Sequence, residues 1–151
     1  MNARFHFLKS ILLLVLVSGS LLSSCARKTQ TTALSPEHAR WMKSRVKDYR
    51  YEFQPRCYCI QAKRGPYTVV VKKNEIVSVN GQPYDPENMG RLFTIDGLFE
   101  MIESQRKRKP VLEEIEYDPQ YGFPSSLYFD FVADIKDEEY GWYVSRFEKL
   151  R

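Results

Sequence analysis

Tyr67-Thr68-Val69-Val70-Val71-Lys72-Lys73-Asn74-Glu75-Ile76-Val77-Ser78-Val79 is the stretch that decides the fold. Two runs rich in β-branched residues are separated only by Lys73-Asn74, and asparagine tolerates the positive φ of a tight hairpin. A connection this short forces antiparallel pairing, because a parallel neighbour needs a crossover of about a dozen residues or more.

Downstream, Asn80-Gly81 ends the second run, and the polar, proline-containing segment 82–91 reads as a loop. Thr94 then caps a helix with Asp96 in its first turn, and Ile95, Leu98, Phe99 and Ile102 form an apolar stripe that stops before Pro110. Three more strands follow, at 111–117, 126–131 and 140–147, the last two separated by an acidic loop around 134–139.

Upstream, Ser35-Pro36-Glu37 has the form of an N-cap, a first-position proline and a first-turn acid, and predicts a helix over 36–47 with Ala39, Met42, Val46 and Tyr49 on the core. From Tyr49 the period changes to two, with Tyr51 and Phe53 alternating with charged residues. Pro55 marks a break, Cys57-Tyr58-Cys59-Ile60 resumes an extended pattern, and Gly65-Pro66 makes a turn. The expected fold is α+β, in α-βββ-α-βββ order: one antiparallel sheet of about six strands with two helices on one face.

The first 24 residues carry Arg4 and Lys9, an apolar run from Ile11 to Val17 and a small-residue zone ending at Cys25. This is the pattern of a cleaved export signal, and the run is short for a helix that must cross about 30 Å of hydrocarbon. Leu22-Ser23-Ser24-Cys25 resembles the bacterial lipobox, which implies lipidation of Cys25 and cleavage before it. Ala26 follows in place of the aspartate that retains such proteins at the inner membrane of enteric-type bacteria. The resemblance thus implies a lipid-anchored protein on the periplasmic face of the outer membrane, in a cell that has one. The expected organisation is a signal at 1–24, a lipidated tether at 25–34 and one globular domain at 35–151.

Loss of Arg4 and Lys9 from 23 cations leaves 21 against 19 anions, so the mature chain is nearly neutral. The basic run Arg106-Lys107-Arg108-Lys109 closes the second predicted helix, where cations complement the helix dipole. Nucleic acid is not an expected partner, since no wide basic face is indicated; anionic lipid or lipopolysaccharide phosphate fits the run better.

With Cys25 lipidated, Cys57 and Cys59 are the only remaining thiols. Three readings stand: a local structural disulfide, a redox or metal-binding pair, or two reduced thiols. On an extended strand their α-carbons lie about 6.5 to 7 Å apart, at the limit of disulfide geometry, so a bond there is strained. The oxidising compartment makes the disulfide the default.

Metal binding lacks ligands: the mature chain offers only His38 as an imidazole, with Met42, Met89 and Met101 as soft supplements for Cu(I). Asp130, Asp134, Asp137, Glu138 and Glu139 supply oxygens for calcium, but their spacing lacks the turn glycine of an EF-hand, and a solvated acidic loop is the simpler reading. His38, near the start of the first helix, is expected to be exposed. No nucleophile elbow or phosphate loop is present, and no catalytic residue or cofactor is expected. The many aromatics are expected in cross-strand packing. Joint exposure of Tyr121, Phe123 and Trp142 would instead mark a protein or glycan contact.

Tyr49-x-Tyr51 leading to Cys57-Tyr58-Cys59, the hairpin from Val69 to Val79, Thr94-Ile95-x-x-Leu98-Phe99, Tyr117-Asp118-Pro119-x-Tyr121-Gly122-Phe123-Pro124, and Asp130 followed by Asp137-Glu138-Glu139 occur together in order. The chain in this respect resembles small bacterial lipoproteins carrying domain of unknown function 6174, and the resemblance spans most of 49–147. It implies a single domain and brings no activity. The expected role is a non-enzymatic, membrane-anchored binding or envelope-maintenance module whose partner is an envelope protein, a cell-wall component or a lipid. The alternatives are a redox or metal-handling lipoprotein using Cys57 and Cys59, and an envelope hydrolase using paired carboxylates.

Overall fold

The computed structural model describes residues 34–56, 65–133 and 139–151. The chain divides after Thr32, and every described residue belongs to the second unit, Ala33–Arg151.

The expected α+β class holds, with one more strand than expected and an extra helical turn. The elements are α1 (Pro36–Ser44), β1 (Tyr49–Arg56), β2 (Tyr67–Lys72), β3 (Glu75–Val79), β4 (Gln82–Pro83), α2 (Pro86–Met89), α3 (Ile95–Arg106), β5 (Leu112–Tyr117), β6 (Pro124–Asp130) and β7 (Tyr140–Lys149). They form one seven-stranded antiparallel sheet in the order β4-β3-β2-β1-β7-β6-β5. Two meanders are thus joined where the last strand returns to pair with the first, Phe53 opposite Val144.

The β2–β3 hairpin turns through Lys73 (φ 50°) and Asn74 (φ 64°), the two consecutive positive φ values of a type I′ turn. Segment 82–91, expected as a loop, contains β4 and the single turn α2. Asn80-Gly81, with φ 51° and 78°, is a second tight turn that folds Gln82–Pro83 back onto β3. Asp85 caps α2 by accepting the Glu87 N–H at 3.0 Å.

Helix α1 is shorter than expected, because Arg45 adopts a left-handed conformation (φ 53°) and its N–H bonds back to Met42 O. The core residue of this helix is Trp41, 3% exposed, whereas Met42 is 57% exposed and Ala39 is also exposed. Ala39 and Met42 thus miss the expected stripe, whereas Val46 and Tyr49, which lie beyond the end of the helix, are buried as expected. The indole is the largest apolar surface on the helix, and its burial sets the helix rotation.

One sheet face is covered by α1 and α3. Tyr49, Tyr51 and Phe53 of β1, Val69 and Val71 of β2, Leu127 and Phe129 of β6, and Trp142 and Val144 of β7 pack there against Leu98, Phe99 and Ile102 of α3. Trp41 meets Tyr49, Phe123 and Phe147 edge to face, at ring separations of 5.5, 6.3 and 5.9 Å. The opposite sheet face carries ion pairs, Arg50 with Glu148 at 2.6 Å and Arg146 with Glu52 at 3.2 Å.

Candidate functional site

The position of α3 governs a concavity formed by described residues. Thr94 caps the helix, its hydroxyl accepting the Gly97 N–H at 3.1 Å. Strand β1 places two tyrosines beneath the cap: the Tyr49 hydroxyl accepts the Ile95 N–H at 2.8 Å, and the Tyr51 hydroxyl donates to Phe93 O. Asp96, in the first turn, receives the Trp41 indole N–H at 2.5 Å on one oxygen and the Asn74 amide at 2.6 Å on the other. One carboxylate thus ties together α1, α3 and the β2–β3 turn. Burial pushes both tyrosines up from the ordinary phenol value, Tyr51 the more deeply enclosed. These groups are used in holding the helix.

Beside the anchored end, Arg91, Phe93, residues of α3 and Tyr140 at the start of β7 line a half-open cleft of about 400 Å³. Gly97, Glu100, Met101, Ser104 and Gln105 form its helical wall. The Phe93 ring stacks on Trp142 at 5.9 Å, and Tyr140 meets the same indole edge on at 5.0 Å, so both ring walls rest on one buried residue. Arg91 lies 5.2 Å from the Phe93 ring centroid. Burial raises the Tyr140 phenol above its ordinary value, opposed by the positive charge of Arg91, so at neutral pH this wall is an uncharged hydroxyl beside a guanidinium. The cleft combines two aromatic rings, one cation, one carboxylate, an amide and the hydroxyls of Ser104 and Tyr140, a lining suited to orienting a ligand.

Of the residues singled out in the sequence, Cys25, Cys57, Cys59, Asp134, Asp137 and Glu138 lie outside the described residues. Asp130 is described: its carboxylate accepts the Val132 N–H at 3.0 Å, closing the turn after β6. No group of three or more His, Cys, Asp or Glu is placed to hold a metal ion among the described residues. His38 is half-buried rather than exposed, stacked on Phe99 at 4.0 Å with the rings within 9° of parallel. Met101 is in the core.

The aromatic set Tyr121, Phe123 and Trp142 is not jointly exposed: Phe123 and Trp142 are 3% and 1% exposed, and Tyr121 packs on Phe147 at 5.1 Å. Trp142 faces the core from β7, whereas Tyr121 and Phe123 lie in the β5–β6 connection, where Phe123 packs on Trp41 of α1. In the basic run, Arg106 is held by Glu113 at 2.6 Å and Glu103 at 2.8 Å, and Arg108 lies 3.8 Å over the Phe131 ring.

One further expectation is corrected for the described residues: they contain no cysteine, and no disulfide bond is present among them. No helix of the described residues is long and apolar enough to cross a membrane.

The cleft residues Arg91, Phe93, Glu100, Ser104, Gln105 and Tyr140 were not singled out in the sequence. A faint signal exists on α3, where Gly97, Glu100 or Met101, and Ser104 recur at i, i+3 or i+4, and i+7 beside the apolar stripe. Nothing local connects them to Arg91 or Tyr140. No curated protein and no solved structure matches the chain. The matching family model covers residues 33–149, nearly the whole of the described unit, and the chain belongs to that family, the family of unknown function DUF6174.

Proposed function

We propose that this chain is an exported, lipid-anchored envelope protein whose domain binds its ligand in the cleft beside α3 without transforming it. The observation that carries the reading is the cleft itself, lined by Phe93 and Tyr140 together with Arg91, Glu100, Ser104 and Gln105. The carboxylate of Asp96 and the hydroxyls of Tyr49 and Tyr51, at the anchored end of α3, are engaged in fixing that helix. Flat rings beside planar polar side chains suit a saccharide, which has apolar C–H faces and a rim of hydroxyls, and so a cell-wall glycan. Anchoring rests on Leu22-Ser23-Ser24-Cys25 and the apolar run before it. Two or three acyl chains at Cys25 give stable attachment where one chain alone is marginal.

Soluble peptidoglycan fragments titrated into isotopically labelled protein should shift amide resonances of residues around 91–105 and 140, and the variant carrying Glu100→Ala and Gln105→Ala should lose the shifts. Perturbations confined to the opposite sheet face, or none at saturating fragment, would overturn the ligand assignment. Separately, Cys25→Ser should move the protein from the membrane pellet to the soluble fraction. An unchanged distribution would refute the anchor.

A further inference from the structure

The hairpin ends of the strands carry an asymmetry of charge that composition conceals. After Lys28 the chain has as many cations as anions, 19 of each. Arg45, Lys47, Lys72, Lys73 and Lys149 are nevertheless gathered at one end of the sheet. Asn74 N donates to Lys47 O at 3.0 Å, Lys73 N to the Asp48 carboxylate at 2.7 Å, and Leu150 N to Asp48 O at 2.9 Å. The start of β1 is thus flanked by the β2–β3 turn and by the end of β7, with Tyr49 opposite both Val71 and Lys149.

All five cations are exposed, and the ion pairs of the described residues engage Arg50, Arg106 and Arg146 but none of these. Arg40 and Lys43 of α1 add to the same end; Glu37, Asp48, Glu75, Asp118 and Asp96, the last bonded to Asn74 of the turn, oppose them but are outnumbered. The contiguous basic run of the sequence, 106–109, is by contrast partly neutralised by Glu103 and Glu113.

The N-terminal segment joins the domain at this end too. Helix α1 lies against the β5–β6 hairpin, Arg40 donating to Pro119 O at 3.0 Å and Glu37 O packed on Gly122. That hairpin leaves the sheet on the same side as the β2–β3 turn and the end of β7. Nine residues, Ala26 to Leu34, separate Cys25 from Ser35, and a chain of that length spans at most about 32 Å.

We propose that this end of the sheet is a membrane-facing surface, on which Arg45, Lys47, Lys72, Lys73 and Lys149 lie against the phosphates of anionic lipid headgroups. The proposal rests on the anchored reading above for the proximity of a bilayer. Its chemistry is that of a polybasic patch, attracted to anionic lipid over a Debye length of about 8 Å at physiological salt. Such an orientation turns Tyr140 and the cleft outward, since β7 runs ten residues, or about 30 Å, from Tyr140 to Lys149.

The test uses the chain from Cys25 onward with Cys25→Ser, so that no lipid contributes, and sedimentation with vesicles. Binding should be at least about tenfold tighter to vesicles with a third of their lipid as phosphatidylglycerol than to pure phosphatidylcholine, and should weaken in high salt. Combined Lys47→Glu, Lys72→Glu, Lys73→Glu and Lys149→Glu should abolish that preference, with the fold verified by circular dichroism. Lys107→Glu with Lys109→Glu should preserve it. Equal binding to both vesicle types, loss of preference only in the 107/109 variant, or retention of it in the four-site variant would each overturn the proposal. Mass spectrometry of Cys25 in protein from cells reads the anchor independently, so failure of one idea is distinguishable from failure of the other.

Discussion

Asp96→Ala should be among the most damaging single substitutions of a polar residue in this domain. The carboxylate accepts from the Trp41 indole at 2.5 Å and from the Asn74 amide at 2.6 Å, and it sits in the first turn of α3, where negative charge is favoured. A hydrogen bond to a charged group contributes about 1.5 to 3 kcal/mol, and a buried donor left without a partner costs about 1 to 3 kcal/mol. Trp41 is 3% exposed, so its indole N–H has little access to solvent with which to replace the carboxylate. The Asn74 Oδ1 is already buried without a partner, so its amide is poorly placed to recover. Counting overlap between these losses, the substitution should cost about 3 to 5 kcal/mol. At about 4 °C per kcal/mol for a domain near this size, the melting temperature should fall by about 12 to 20 °C. Asp96→Asn keeps one acceptor but sets an amide donor against a donor, and should cost about 2 kcal/mol. Urea denaturation followed by circular dichroism measures both. A double-mutant cycle with Trp41→Phe should return a coupling of at least about 1 kcal/mol. A cost for Asp96→Ala below about 1 kcal/mol, or a coupling near zero, would refute the view that this carboxylate ties α1, α3 and the β2–β3 turn together.

Two other outcomes follow from the same core. Tyr49 and Tyr51 have phenols raised by burial above their unfolded value, so the stability they supply is complete below about pH 10 and is lost as pH climbs from there through the raised folded values. Tyrosinate absorbance and far-ultraviolet dichroism should therefore change together above about pH 10, and independent titration of all tyrosines in a folded protein would contradict this. Gly122 has φ 82°, and an added Cβ would lie 2.4 Å from Glu37 O, so Gly122→Ala should destabilise by about 2 to 4 kcal/mol in a thermal melt; a neutral result would mean that α1 is not seated on this hairpin.

The hairpin at Lys73-Asn74, the cap at Thr94 and the period-two run at Tyr49 were legible because each depends on residues within a few positions: a turn's φ requirement, a hydroxyl three residues from an N–H, and the alternation of a strand. The same locality explains the errors. Segment 82–91 carries little apolar pattern, and its two-residue strand exists only because Asn80-Gly81 folds it onto β3. Helix α1 has apolar candidates at Ala39, Met42 and Val46, but its rotation is set by the pocket for Trp41 between Tyr49, Phe123 and Phe147, residues from three other parts of the chain. The stacking of His38 on Phe99 is likewise a contact between helices with no local signal.

By itself, the sequence determined the fold class, the antiparallel pairing, the positions of the two longer helices and an expected lipid attachment at Cys25, since these follow from short-range chemistry read within one segment. Tertiary structure decided the strand order, in which β7 returns to β1, the carboxylate junction at Asp96, the cleft between Arg91 and Tyr140, and the gathering of Lys47, Lys72 and Lys149 at one end of the sheet. The physical reason is distance along the chain. A cleft or a charge cluster is made by side chains dozens of residues apart, and only the burial of a shared core brings them within a few ångströms of one another.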